Sequence, residues 1–341
     1  MSAGEIAYTL QGAAADMRED GRARLDFRHL SLEVGLLPQT SGSARLRIGG
    51  TEVLVGVVAV LAEPPATTPD MGRLVVAVGY GPGGDAAVAA GLPEYTSTGG
   101  GSLGSSSTAS SQAQHSLLED KRVWLEGALA QLYGPTTMGG PLRALCIAPG
   151  RQCWELRVHV QLIRADGCPL DAASLAIRAA LHATRVPRVA VAATASEAAS
   201  EATSGQQQPA QPQQALDLDL DESLDESLPF DAAAVPVYVT LASLGGHLVA
   251  DCTAKERKAA GAALSLALDA DGQVAALCGG GGYGLHLAAV ATAMALAQQL
   301  CSALHAAAAV AIKQACDVAE MRATGGAAGV MDGGFAGPAW I

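Results

Sequence analysis

Apolar and polar residues alternate along 43–48 (SARLRI), the chain crosses Gly49-Gly50, and it returns as the mostly apolar TEVLVGVVAV of 51–60. Period-two patterning on both sides of a Gly-Gly turn predicts a β-hairpin. Val123, Leu125, Leu129 and Leu132 recur at helical spacing within 119–132, predicting a helix that packs one face. Strands are predicted for ALCIAP (144–149) and CWELRVHVQLIRADG (153–167). A helix is predicted from about Asp171, its N-cap, to just before Pro187. The same order then recurs. VPVYVTLASLGGHLVAD holds two strands around Gly245-Gly246, and AALSLALDADGQVAALC holds two more around Asp269-Ala270-Asp271-Gly272. An Ala-rich helix from about 285 to 321 follows. Hairpins followed by helices, given twice, predict an α+β fold with pseudo-duplicated β-sheet and helix units rather than a parallel α/β wheel.

Two low-complexity stretches divide this pattern. The first, ending at Gln114, is Gly/Ser-rich, and the second, from about Ala195, is Gln/Pro-rich and then acidic. Neither can bury enough apolar surface to order itself. The expected organisation is an N-terminal arm (1–24) and a first unit (25–194) carrying a disordered Gly/Ser insertion (83–116). An acidic linker (195–230), a second unit (231–323) and a flexible tail (324–341) complete it. A length of 341 residues suits two units with sizeable cores.

Charge changes the picture in one respect. The net value of −12 argues against a nucleic-acid partner, but 195–231 alone holds nine acids and no Lys or Arg, leaving −3 for the rest. The folded body can therefore carry a local basic surface. The longest apolar run, 285–310, is interrupted by Thr292, Gln298, Gln299, Ser302 and His305, so a packed helix and no membrane partner are expected. MSAGEIAYTLQG has no basic segment leading into an apolar one, so no secretory signal is expected and residence in nucleus or cytosol is. The seven cysteines are scattered without a Cys-x-x-Cys pair and read as reduced, buried small hydrophobes; no metal and no cofactor is expected.

Two familiar chemistries fail on context. GGGGYG (279–284) satisfies G-x-G-x-x-G, but a dinucleotide site needs a further parallel strand bearing an acid about 20 residues on. Here a helix continues instead, so a dinucleotide-binding protein is only a lesser alternative. No G-x-S-x-G elbow is present, and the seven histidines fall in different elements with no triad order.

The block REDGRARLDFRHLSLEVGLL is more informative. Arg18 and Arg22 bracket Asp20-Gly21, where glycine permits a turn and the aspartate can pair with either guanidinium. R-x-D-G-R at 18–22, then Arg28 and TSGSARLRIGGTEVLVGVVA (40–59), resembles the opening of the RNase PH family of phosphorolytic exoribonucleases and exosome ring subunits. APGRQCWELRVHVQLIRADG (148–167), LDAASLAIRAALHATRVPRV (170–189) and HLVADCTAKE (247–256) extend the likeness over most of the chain outside the low-complexity stretches.

The resemblance also shows where this sequence departs from active members. Those cradle inorganic phosphate with a G-[TS]-R-[TS] turn, whereas this chain reads Gly167-Cys168-Pro169-Leu170, without guanidinium or hydroxyl and with one backbone donor removed. Active relatives also carry aspartates in D-Y-x-x-D-x-x-x-x-x-D. Laying Asp251 on the first puts Lys255 on the second and Gly261 on the third, neither able to ligate a cation as a carboxylate does. Asp251 is read as a strand-end residue whose side chain caps the following turn. The resemblance therefore implies a ring subunit with no catalytic residues of its own, paired with an Rrp41-like RNase PH neighbour and joined by other exosome ring and cap subunits. RNA would pass through a central channel toward nucleases elsewhere, in the nucleus, nucleolus and cytoplasm. RNA contact would rest on cations meeting phosphates, with Lys121, Arg122 and Arg143 as candidates beside a solvated-surface reading. The segment that would be basic in a strong binder reads LEGALAQLYG, so weak affinity is expected. The alternative is an active phosphate-dependent 3′-to-5′ exoribonuclease with an unusual site.

Overall fold

The computed structural model describes residues 1–81, 109–191, 218–220, 228–280 and 286–323. Six strands make the first sheet: β1 (Leu30–Val34), β2 (Gly42–Ile48), β3 (Thr51–Ala62), β4 (Arg73–Tyr80), β5 (Cys146–Ala148) and β6 (Gln152–Arg164). Their order is β1-β2-β3-β6-β4, with β5 also paired to β6. All of these pairings are antiparallel except that of β4 with β6. The predicted hairpin is β2–β3, turning at Gly49-Gly50. On β3, Val53, Val55 and Val57 are fully buried and point to one face, as alternation along a strand requires.

Four antiparallel strands make the second sheet: β11 (Val237–Leu244), β12 (His247–Ala250), β13 (Ala262–Leu268) and β14 (Val274–Gly280), in the order β12-β11-β13-β14. Between the sheets in sequence, β7 (Arg185–Val186) pairs β10 (Leu228–Pro229), and β8 (Val189–Val191) pairs β9 (Leu218–Leu220). Strands thus occur inside the expected linker 195–230. GGGGYG begins on β14, whose neighbour is antiparallel, so no β-α-β unit surrounds it; residues 281–284 lie outside the described residues.

Among the described residues six helices complete the fold: α1 (Ala3–Ala14), α2 (Ala109–Leu132), α3 (Gly139–Arg143), α4 (Pro169–His182), α5 (Ala254–Ala259) and α6 (Leu287–Ala323). The onset of α2 at Ala109 places helix within the insertion 83–116 that was expected to be disordered; 82–108 lie outside the described residues. The central helix is α4, buried from Pro169 to Leu181 and touching β2 and β3 on one side and β11 on the other. A helix packed all round needs small or apolar residues everywhere, and Ala172, Ala173, Ala176, Ala179 and Ala180 meet that demand. By length and composition α6 is apolar enough to cross a membrane. It instead lays a stripe of Ala293, Ala297, Cys301, Leu304, Ala308 and Ile312 toward β1, β11 and β13. All seven cysteines are free: Cys153, Cys168, Cys252 and Cys301 are buried, while Cys146, Cys278 and Cys316 are only half-buried.

Asp171 does not cap α4. The helix starts two residues earlier, at Pro169, with Cys168 in the cap position. Strand β12 pairs only with Leu241–Leu244, so the first half of β11 would expose its N–H groups toward α4. Ser174 Oγ accepts from Tyr238 N at 2.9 Å, and Asp171 accepts from Thr240 N at 2.8 Å and Thr240 Oγ1 at 2.5 Å. Helix side chains thus take the place of the missing strand. Burial pushes the Asp171 carboxyl up to about 7, against the pull of the two Thr240 hydrogen bonds. The folded state therefore holds this proton more tightly than the unfolded chain, and its contribution to stability falls as pH rises from the ordinary carboxylate range toward 7. Denaturant titrations should show wild-type stability falling relative to Asp171→Asn across that window, at up to about 1.4 kcal/mol per pH unit. Parallel curves for the two proteins would contradict a protonated Asp171.

Candidate functional site

Helix α1 opens with a reciprocal capping box, Ser2 with Glu5, and the chain then turns at Asp16 (φ 55°) and Gly21 (φ 83°). That path delivers Arg18 into the interior. Its Nε donates to Glu256 Oε1 at 2.7 Å, its Nη2 to Glu256 Oε2 at 2.5 Å and Asp251 O at 2.9 Å, and its Nη1 to Ala250 O at 3.0 Å. Glu256 also closes the capping box of α5 by accepting from Thr253 N at 2.8 Å. Burial alone would push the Glu256 carboxyl up, but Arg18 and the Thr253 N–H hold it below its usual value. The local pairing read for Asp20 is with Arg22, at 2.8 Å.

Asp251 follows β12 in the left-handed region at φ 42°, a costly place for a residue with a side chain. Its carboxylate does not cap the turn; that task falls to Thr253 and Glu256. It points at the N-terminal arm. Oδ2 accepts from Arg28 N at 2.8 Å, Arg28 Nε at 2.9 Å and Arg22 Nη1 at 3.3 Å, while Oδ1 accepts from Arg28 Nη2 at 2.7 Å. A two-pronged guanidinium and a second arginine thus compensate one carboxylate that is 5% exposed. Burial pulls the Arg28 guanidinium down, but Asp251 raises it well beyond its ordinary value.

The turn at 166–170 is pressed onto the same place. Arg28 Nη1 donates to Asp166 O at 2.7 Å, and Asp166 Oδ1 accepts from Ala254 N at 2.9 Å. Gly167 has φ 112°, and a Cβ there would stand 1.7 Å from Cys252 O. Cys168 Sγ lies 3.8 Å from that carbonyl, and Pro169 and Leu170 are buried in α4. Burial pushes the Cys168 thiol well above its usual value, so it offers a packed sulfur and not a thiolate. Of the other positions read against the active pattern, Lys255 is exposed and paired with Glu19 at 2.9 Å, and Gly261 donates its N–H to Ser243 O at 3.2 Å.

The three RNA-contact candidates sit apart from this cluster. Lys121 and Arg122 are on α2, where Arg122 is gripped by Glu119 at 3.0 Å and Glu126 at 2.9 Å. Arg143 ends α3 and meets Asp70 at 3.3 Å. Sequence reasoning missed Glu256 as the partner of Arg18 and Arg28 as the partner of Asp251. The available signal was the Thr-x-x-Glu box at Thr253, which fixes the Glu256 carboxylate at a helix start.

Two sheets sharing a core around α4, stapled at one end by three arginines, define a duplicated α+β protein rather than a nucleotide-binding wheel. The chain belongs to the RNase PH, or 3′ exoribonuclease, family: the model of its domain 1 matches residues 26–121 and 129–187, and that of its domain 2 matches 234–299. The exosome complex component Rrp42 of Pyrococcus furiosus is 26% identical over 297 residues, covering 86% of this chain and 90% of that protein. Rrp42 of Methanosarcina mazei is 26% identical over 262 residues, covering 77% of each. Among solved structures, an archaeal exosome core matches with a TM-score of 0.61 at 22% identity, over 88% of this chain and 94% of that one. The Archaeoglobus fulgidus exosome with RNA bound to its active site matches with a TM-score of 0.60 at 22% identity, over 88% and 96%.

Proposed function

We propose that this chain is a ring subunit of an RNA-degrading exosome, of the Rrp42 type among the Rrp42, Rrp43 and Rrp45 alternatives, without a phosphorolytic site of its own. One observation carries the non-catalytic part: the Asp251 carboxylate is filled by Arg28 and Arg22, leaving no open face to a metal ion or a scissile phosphate. The turn that would have to cradle phosphate is closed against the Cys252 carbonyl and presents a buried thiol and a proline. Pairing with an Rrp41-like RNase PH subunit, assembly with other ring and cap subunits, and passage of RNA belong to the same proposal, as does residence in nucleus, nucleolus and cytoplasm. Lys121, Arg122 and Arg143 remain the proposed phosphate contacts, each a non-specific positioning contact.

Incubation of the purified chain with RNA, inorganic phosphate and magnesium should release no nucleoside diphosphate above background. Native mass spectrometry of the complex recovered from cells should show RNase PH-like partners. Robust phosphorolysis that disappears in Asp251→Asn would instead establish an active exoribonuclease, and a lone stable monomer in cells would remove the ring assignment.

A further inference from the structure

Arg178 occupies a different position from every other buried arginine in the described residues. It is 6% exposed, in the third turn of α4, roughly 13 Å along the helix from Pro169. Its Nη1 meets Nδ1 of His305 on α6. His305 Nε2 faces Leu268 O at 3.2 Å, and a ring that donates there accepts at Nδ1, so the histidine is a neutral acceptor and brings no counter-charge. Arg18 has Glu256 and Arg28 has Asp251, whereas among the described residues no carboxylate pairs with Arg178. A guanidinium stays charged, and burying it without a counter-ion is costly.

Arg178 also lines a half-open cavity of about 230 Å³, walled by His182, Phe230, Asp231, Ala232, Ala233, Ala309 and Ile312. Burial first, and then the nearby Arg178 and Arg185, hold the His182 imidazole below its usual value. The one acid on the wall, Asp231, accepts from Ala233 N at 3.1 Å and makes no ion pair with Arg178. Phe230, Ala232, Ala309 and Ile312 add apolar residues to its lining.

We propose that this cavity binds a small oxyanion, a carboxylate or phosphate group bearing at most a short apolar substituent, held by the Arg178 guanidinium with His182 at its rim. The planar fork of arginine matches two oxygens of such a group, and the missing counter-charge is then supplied by the ligand. The site stands independently of the ring-subunit reading, because it uses neither Asp251 nor the turn at 166–170.

Calorimetry and thermal unfolding of the full chain, with inorganic phosphate and butyrate at constant ionic strength set by chloride, test it. Saturable one-to-one binding of at least one anion in the millimolar range is expected, with a raised Tm. Phosphate alone would assign the phosphate class and butyrate alone the carboxylate class. Arg178→Gln should weaken binding about 10- to 100-fold, the worth of a charged hydrogen bond. Arg178→Met should unfold at or above the wild-type temperature and ignore both anions, since it removes an uncompensated buried charge. No saturable binding to the wild-type chain, or equal binding by Arg178→Gln, would overturn the proposal.

Discussion

Replacing Arg18 with alanine is expected to lower the free energy of unfolding by about 3–5 kcal/mol, the cost of leaving one member of a buried ion pair without its partner. The Arg18 and Glu256 side chains are 1% and 7% exposed, so water cannot compensate the orphaned carboxylate. The loss should exceed that for Arg24→Ala, whose pair with Asp16 is far more exposed, at 34% and 50%. Urea unfolding of the two variants compares them directly. A double variant, Arg18→Met with Glu256→Leu, should recover much of the loss, because two apolar groups avoid the desolvation that the ions suffer. The sign of the pH dependence follows from Glu256, which is held below 4.5. The pair's contribution is full above that ordinary value and is lost as pH falls through the lower folded value. A wild-type advantage over Arg18→Ala that did not shrink in acid would break the link to Glu256.

This latch marks the boundary of what the sequence makes legible. Periodic features transferred well: the β2–β3 hairpin, the antiparallel second sheet and the buried Ala-rich α4 follow from spacing and small side chains, which act locally. What local rules miss is pairing across distance. Arg18 meets a carboxylate 238 residues away, and Asp20, its near neighbour, turns to Arg22 instead. Asp171 looks like an N-cap at the start of α4, yet it serves strand N–H groups that only the brevity of β12 leaves open. Strand β4 pairs parallel with β6 across the whole Gly/Ser excursion, so nothing adjacent in sequence announces it. Helix α1 is a different kind of miss, since its Ser2 and Glu5 capping box is visible in the first five residues. Of the candidate site, the residues were legible and their partners were not. Asp251, Lys255 and Gly261 stood out against the family's pattern, but the filling of Asp251 by Arg22 and Arg28 needed the folded arm.

Gly167→Ala is expected to cost at least about 3 kcal/mol, combining left-handed strain with a backbone collision. At φ 112° the new Cβ would lie 1.7 Å from Cys252 O, 2.8 Å from Cys252 C and 3.2 Å from Thr253 Cα, all backbone atoms that no rotamer change can move. Gly150 supplies the control: it also has positive φ, at 71°, but a Cβ there meets nothing within 4 Å. Gly150→Ala should therefore lose only about 1–2 kcal/mol, the price of the left-handed conformation alone. The difference between the two variants isolates the contact of the 166–170 turn with the 251–254 turn. That contact is also where the active pattern would need room for phosphate. Opening it would strip Asp166 Oδ1 from Ala254 N and lift Cys168 away from the Cys252 carbonyl. A graft of Thr, Arg and Thr at Cys168, Pro169 and Leu170 would meet the same wall, since Pro169 and Leu170 are already buried in α4. Equal losses for Gly167→Ala and Gly150→Ala would show that the two turns are not held together in solution, and a phosphate-sized opening would then have to be sought there.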